Sequence, residues 1–390
     1  MAIFELAETT NEQAVIKVIG VGGGGGNAVE HMASSALDCV DFICANTDAQ
    51  ALSNTNAKTI LQIGNEITKG LGAGADPNIG REAAIEDRER IQEVIEGTDM
   101  LFITAGMGGG TGTGAAPIIA EIARDMGILT VAVVTKPFPW EGNRRMEAAE
   151  KGIEELEQYV DSLITIPNEK LQAVLGKGTT LLDAFKEANN VLLNAVQGIS
   201  ELITRRGLIN VDFADVKAVM SSMGTAMMGT GSSVGEDRAR EAAERAISSP
   251  LLDNISMAGA KGILVNITAG MDLAIGEFEE VGNAVREFAS ENAIVVVGTV
   301  IDAEMSGEMR VTIVATGIGQ GIPNMAVING NADDALRKNS INNKDLEDYD
   351  TNLIPPQKAV GEQFTRSESS NTETDYGVLD IPAFLRRQND

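Results

Sequence analysis

Histidine is almost missing from this chain: His31 is the only one among 390 residues. A His-bearing zinc centre and a Ser-His-Asp triad are thereby excluded. Cysteine is nearly as scarce. Cys39 and Cys44 lie five positions apart on one expected strand, so they point to opposite faces and do not pair; buried, reduced thiols in a cytosolic protein are expected. Aromatic residues make up only 4%, which points to aliphatic α/β packing, and 43% hydrophobic content is enough to fill a sizeable core. Basic side chains are outnumbered, 30 Lys and Arg against 57 Asp and Glu, for a net charge of −27. Such a surface repels nucleic acid and anionic lipid at long range. The apolar run Ile128–Val134 is far short of the roughly 20 residues that a membrane helix needs. Met1–Thr10 carries acids and no base, so neither direct membrane insertion nor a signal peptide is expected.

Glycine, by contrast, is plentiful at 42 residues, and it concentrates in three stretches. These are Gly20-Val21-Gly22-Gly23-Gly24-Gly25-Gly26-Asn27, Gly70-Leu71-Gly72-Ala73-Gly74 and Gly108-Gly109-Gly110-Thr111-Gly112-Thr113-Gly114. Inside a regular element each glycine costs roughly 0.5–1 kcal/mol relative to Ala, against a total stability of only about 5–15 kcal/mol. Clustering on this scale signals close backbone approach to an anion, with main-chain amides at helix N-termini as donors. A polyphosphate is the best match. In a chain this acidic, such a ligand must be held by amides, a few local arginines and a divalent cation.

Apolar runs at Ala14–Ile19, Val40–Ala45, Met100–Thr104, Ile128–Val134 and Ser162–Ile166 read as buried strands. They alternate with helical periodicities at Asn27–Ala36, Gly80–Glu96, Gly114–Met126 and Arg144–Gln158. That alternation predicts a parallel sheet covered on both faces, with ligands at the carboxyl ends of the strands. Thr180–Thr204 reads as a long helix, apolar on more than one face and therefore buried between two bodies. A second domain follows, with strands at Gly262–Thr268, Ile294–Thr299 and Arg310–Thr316 and helices near Glu236–Ile247 and Val281–Ser290. Asn331–Asp375 is polar and poor in large apolar residues, the composition of a disordered linker. Order is expected to return at Asp380-Ile381-Pro382-Ala383-Phe384-Leu385-Arg386-Arg387, a short helix capped by Asp380. Ile381, Phe384 and Leu385 would share one face, suited to docking on a partner.

The first glycine stretch fits a dinucleotide fingerprint, but five consecutive glycines satisfy almost any glycine pattern. A nicotinamide enzyme also wants an acid after the second strand, and Asn46-Thr47-Asp48 is ambiguous there. A Walker-type loop is absent, since Gly176-Lys177 is followed by Gly178 without the upstream glycine. The specific signal is Gly108–Gly114. Strand, three glycines, alternating Thr and Gly, then Ala115-Ala116-Pro117 would set several amides and two hydroxyls against one anion.

This heptapeptide resembles the signature of the tubulin/FtsZ family, and the likeness extends over nearly the whole chain. Gly23, Gly24, Gly25, Gly26 and Asn27 are similar to the family's first nucleotide loop. Ala73 and Gly74, in Gly70–Pro77, resemble the loop near the γ-phosphate, and Gly108, Gly109, Gly110, Thr111, Gly112 and Thr113 the phosphate loop. By the same resemblance Phe185 lies against the purine and Asn189 hydrogen-bonds its edge. Many relatives carry Asp at the latter position; Asn has a single acceptor oxygen for guanine's two adjacent donors, so softer guanine selectivity is expected. Glu141 and Arg145 match ribose and phosphate contacts, and Trp140 stands where relatives often have Phe. Asn210-Val211-Asp212-Phe213-Ala214-Asp215 resembles the loop that reaches into a neighbouring subunit's nucleotide pocket. From spacing alone, Asp212 and Asp215 read as ordinary first-turn acids; the resemblance makes them, with Asn210, the catalytic set. Asp380, Ile381, Pro382, Phe384, Leu385 and Arg386 resemble the peptide that binds membrane-tethering division proteins such as FtsA and ZipA. Met220, Met223, Met227 and Met228 form a helical-spaced stripe read as core filling.

The resemblance implies an α/β fold: a parallel-sheet GTP-binding domain (1–180), a long central helix (181–209), a second α+β domain (210–318), a disordered linker (319–376) and a docking peptide (377–390). It implies a GTPase that binds GTP or GDP with Mg²⁺ and assembles head-to-tail with itself. It would form the division ring under the membrane at midcell, with division inhibitors and bundling factors as further partners. The metal would be held by phosphate oxygens and water, so no protein ligand is assigned. Two alternatives stay open on residues alone: a nicotinamide-dependent enzyme, and a tubulin-like scaffold without turnover.

Overall fold

In the computed structural model the described residues are 14–318, except 36, 38, 177, 206, 222–223, 250, 252–259 and 291–292. The N-terminal segment, the expected linker 319–376, the peptide Asp380–Arg386 and Met223 lie outside them. The elements run β1 Ile16–Val21, α1 Gly22–Ser34, β2 Val40–Asn46, α2 Ala49–Ser53, β3 Thr59–Gln62, α3 Asn65–Thr68, α4 Pro77–Glu86, α5 Arg88–Ile95, β4 Met100–Gly106, α6 Thr111–Asp125 and β5 Leu129–Lys136. After a 3₁₀ turn at Pro139–Glu141 come α7 Asn143–Glu157, β6 Ser162–Pro167, α8 Asn168–Leu175, α9 Leu181–Thr204, α10 Phe213–Met220, β7 Thr225–Val234, α11 Arg238–Ile247, β8 Gly262–Ala269, α12 Ile275–Phe288, β9 Ile294–Ile301 and β10 Glu308–Ile318.

The strands form one sheet in the order β3-β2-β1-β4-β5-β6-β7-β10-β8-β9. The first six are parallel, with β1 set between β2 and β4 so that Val21 lies opposite Ala45 on one side and Ala105 on the other. Strand order therefore reverses at the β1–β4 junction. In an open parallel sheet such a switch point opens a crevice at the carboxyl ends. Alternate residues serve opposite faces. Val18, Phe102, Val131 and Val133 pack with α1 and α9 through Ala28, Met32, Leu192 and Val196. Ile19, Ile103, Ala132 and Val134 pack with α4, α5, α6 and α7 through Ala84, Ile91, Ile119 and Leu156. Among the described residues the sheet continues into the C-terminal half through two register pairs, Leu163 with Thr225 and Ile164 with Ala226. There β10 is antiparallel to β7 and β8, and an alanine-rich face of α11 (Ala239, Ala242, Ala243, Ala246) covers Ile263, Val265, Val311 and Ile313.

Five local expectations need correction. The first helix begins at Gly22, so most of the glycine run is helix rather than the loop before it. The helix expected over Gly80–Glu96 is broken at Asp87, whose Oδ2 accepts from Gly64 N at 2.7 Å and whose Oδ1 accepts from Arg90 at 2.8 Å. Cys39 precedes β2, exposed and with φ 62°, whereas Cys44 is buried in the strand. The methionines do not share a helix: Met220 ends α10, and Met227 and Met228 lie on β7. Finally, β3 and β7 are strands that the apolar patterning did not mark.

Candidate functional site

Two helices start where strands end at the switch point. α1 follows β1 directly through Gly22, at φ +72°; its N-cap Val21 makes no side-chain cap and its first turn has no acid. α6 follows β4 through Gly108-Gly109-Gly110, and it too lacks both a side-chain cap and a first-turn acid. The first four N–H groups of a helix have no internal partner, so two sets of donors converge on one crevice.

Several glycines hold these loops by close approach. A Cβ on Gly25 would lie 2.3 Å from Thr104 O, one on Gly112 would lie 2.8 Å from Gly106 O, and one on Gly110 would meet Ala73 Cβ at 2.8 Å. Gly23 and Gly109 differ: a Cβ there would meet nothing within 4 Å, and both line a cavity of about 360 Å³. At those two positions the space beside the backbone opens into the cavity.

The cavity gathers Gly23, Gly24, Asn27, Gly109, Gly110, Thr111 and Gly112 with Glu141, Arg145, Phe185 and Asn189 from the other predicted segments. Phe185 meets Phe138 edge-on with centroids 5.5 Å apart, and Trp140 stacks on Phe138 at 5.3 Å. Trp140 and Phe185 remain 55% and 42% exposed, an aromatic rim open to a planar base. Glu141 accepts from Phe138 N at 2.9 Å and from Arg145, which fixes the guanidinium at the cavity edge.

Gly25, Gly26, Ala73, Gly74, Gly108 and Thr113 do not line this cavity. Gly25 and Ala73 are packed behind the loops, and Gly26 faces a neighbouring cavity beside Cys44 and Thr55. Thr113 Oγ1 accepts from Gly108 N at 2.8 Å, and the Thr111 hydroxyl lies 2.7 Å from that of Thr47. The threonines thus brace the loop.

Sequence reasoning missed Asn168, Thr135, Pro137, Gly106 and Met107. Asn168 is the most telling, because it is buried and its Oδ1 has no hydrogen-bond partner. A buried polar atom without a partner costs about 1–3 kcal/mol unless a ligand satisfies it. Open glycine positions, free helix amides and this unpaired oxygen together fit a nucleotide. Among the described residues no group of three His, Cys, Asp or Glu side chains is placed to hold a metal.

The acids are elsewhere. Asp212 caps α10 without a side-chain cap bond, Asp215 sits in the first turn, and both are exposed. Neither carboxylate has a hydrogen bond or ion pair among the described residues. Asn210 Oδ1 accepts from Gly207 N at 2.9 Å, closing the loop on itself. None of the three lines the cavity. Phe185 and Asn189 lie in the first half of α9, while the acid loop leaves its far end. At 1.5 Å per residue, Asn189 and Thr204 are about 23 Å apart along the axis.

A glycine-lined crevice at the switch point of a parallel sheet, rimmed by aromatics, marks a nucleotide-binding protein; Asp212 and Asp215 follow the far end of α9 and do not line the crevice. The strand order alone also suits a dinucleotide enzyme, but Asp48 is engaged as the α2 cap, accepting from Gln50 N at 2.9 Å and Ala51 N at 3.3 Å. Residues 15–176 match the model for the GTPase domain of the Tubulin/FtsZ family, and residues 224–319 that for the C-terminal domain of the FtsZ family. Cell division protein FtsZ of Coxiella burnetii is 62% identical over 391 residues, 99% of each chain. That of Pseudomonas aeruginosa is 58% identical over 398 residues, all of both. An FtsZ dimer structure from M. jannaschii shares 46% identity with a TM-score of 0.75, covering 80% of this chain and 89% of that one. The chain belongs to the FtsZ family, and its enzymatic class is GTPase. No described helix is long and apolar enough to cross a membrane.

Proposed function

We propose that the chain hydrolyses GTP at a site shared between two copies, stacked head-to-tail in a filament that forms the division ring. Gly23, Gly24, Asn27 and Gly109 to Gly112 hold the phosphates, with Ala73 and Gly74 near the terminal one. Glu141 and Arg145 hold the ribose end, Phe185 packs on the purine, and Asn189 and Asn168 meet its polar edge. Asp212 and Asp215 of the next copy, held by Asn210, orient the attacking water and accept its proton. When bound, Mg²⁺ would be held by phosphate oxygens and water, and it would supply charge neutralisation on the triphosphate.

The observation that carries this reading is the separation along α9. One copy presents a lined cavity beside the first half of α9 and, beyond the far end of that helix, two exposed carboxylates without partners among the described residues. An isologous contact between ends would set like to like, cavity to cavity or acids to acids. A heterologous one sets acids to cavity and leaves both ends open, which generates a filament. Hydrolysis then weakens the contact that enabled it, so the polymer turns over. The boundaries 1–180, 181–209, 210–318, 319–376 and 377–390 divide the chain into nucleotide-binding body, connecting helix, acid-bearing body, tether and docking peptide. Asp380 to Arg386 would bind adaptors such as FtsA and ZipA, and many tails on one filament would act together by avidity at midcell.

Asp212→Ala tests the assignment. Turnover is expected to fall about 100-fold or more, the scale of general acid–base contributions, while GTP affinity measured by equilibrium titration changes little. A comparable loss of affinity would place Asp212 in its own copy's pocket.

A further inference from the structure

The acid loop lies against a strand edge. β9 ends the sheet and pairs only with β8 among the described strands, so no described strand covers its other edge. An open edge presents a row of unpaired amides and carbonyls. The chain leaving α9 covers it at one residue. Thr299 N donates to Ile209 O at 3.1 Å, and Thr299 Oγ1 accepts from Ile209 N at 2.9 Å. Both polar groups of Ile209 are thereby satisfied by a single threonine.

Two glycines on opposite partners allow this approach. A Cβ on Gly207 would lie 1.5 Å from Thr299 O. A Cβ on Gly298 would lie 2.5 Å from Leu202 and 2.6 Å from Val211. The strand edge therefore receives α9 and the loop together, in one register. Thr299 is buried, at 3% exposure, and it lines no part of the nucleotide cavity. Asn210 closes the same turn through Gly207 N, one residue beyond the Thr299 clamp and two before Asp212.

We propose that Thr299 is the positioning residue of the acid loop, holding residues 207–212 on the open edge of β9 so that Asp212 and Asp215 stand at a fixed height for the neighbouring copy's nucleotide. The assignment rests on the shared-site reading above. Through its hydroxyl and amide, a threonine of the C-terminal sheet sets the geometry of catalysis in another molecule.

The test compares Thr299→Val, which removes the acceptor oxygen at nearly constant shape, with Thr299→Ser, which keeps it, both in the full chain. GTP turnover is measured well above the assembly threshold, alongside GTP affinity, thermal midpoint and filament formation with a slowly hydrolysed GTP analogue. For Thr299→Val, kcat should fall about 10-fold, as misplacement by a fraction of an ångström to 1 Å implies, with GTP affinity, thermal midpoint and analogue-driven filaments near wild type. Thr299→Ser should restore kcat to within about 2-fold on the same reasoning. Wild-type kcat in Thr299→Val, or equal loss in both variants, overturns the proposal. Should Thr299→Val not fold, Gly207→Ala carries the test: it leaves β9 intact and forces the loop off its edge, and unchanged kcat there overturns the proposal equally. A wild-type protein whose turnover ignores concentration defeats the shared-site reading itself, a failure distinct from any of these.

Discussion

The glycine loops at the ends of β1 and β4 and the acid loop at the end of α9 are held in different ways. Gly25 and Gly112 are pressed against the backbone of β4 at separations that admit no side chain, and Thr47, Thr111 and Thr113 brace the same loops from within. The acid loop leans on one strand edge, through Ile209 and Thr299, and leaves Asp212 and Asp215 exposed. The first region is preorganised to hold a ligand without help. The second leaves both carboxylates facing outward, which is what the proposed use by another copy requires.

Substituting within a single glycine stretch breaks that comparison most sharply. Gly25→Ala is expected to cost about 1–3 kcal/mol of stability through overpacking, read as a lowered denaturation midpoint. Gly23→Ala, two positions away, should leave the fold at least as stable, since Ala is favoured over Gly in a helix by roughly 0.5–1 kcal/mol. Its GTP affinity should nevertheless fall about 10-fold, because the added methyl occupies ligand space. Equal stability losses in the two variants would contradict the division between structural and ligand-facing glycines.

Acid should act on the half that carries the acid loop. Arg238 is buried, and its Nε and Nη2 donate to Glu277 at 2.6 and 3.0 Å while Nη1 donates to Asp272 at 2.7 Å. These bonds, first among the causes, hold both carboxyls below their ordinary values of 4.5 and 3.8. A carboxyl depressed on folding contributes stability above its unfolded value and loses it as pH falls through the folded one. The thermal midpoint should therefore drop below about pH 4, and Glu277→Gln should make that drop shallower. An unchanged pH profile would show that the cluster adds nothing.

The smallest effect concerns thiols. Burial pushes the Cys44 thiol up, whereas Cys39 is exposed. A thiol reagent should modify Cys39 rapidly and Cys44 only after unfolding. Cys44 is the register partner of Gly20, so early reaction there would mean that the glycine loops open in the native protein.

The ease of reading the sequence followed the same division. The glycine loops were legible because their function is a property of the backbone, and only glycine permits it locally. Five of the six parallel strands of the N-terminal half were legible as apolar runs; β3, only four residues long, was not. Asn168 and Thr135 were not, because a polar residue at a strand end signals nothing until the fold closes over it. β7 escaped notice because Gly229, Gly231, Ser232 and Ser233 interrupt its apolar pattern, and its methionines mimic helical spacing. The break at Asp87 depends on Gly64, 23 positions away. Asp212 and Asp215 look like ordinary first-turn acids in any local reading. Their distance from the cavity emerges only when α9 is seen as a rod between the two sites.

The most direct test is GTP turnover per molecule as a function of protein concentration, from dilute single copies to conditions that favour assembly. The account predicts negligible turnover when copies are isolated and a steep rise as they meet. Constant turnover per molecule across that range would contradict it, because acids and nucleotide would then have to meet within one chain.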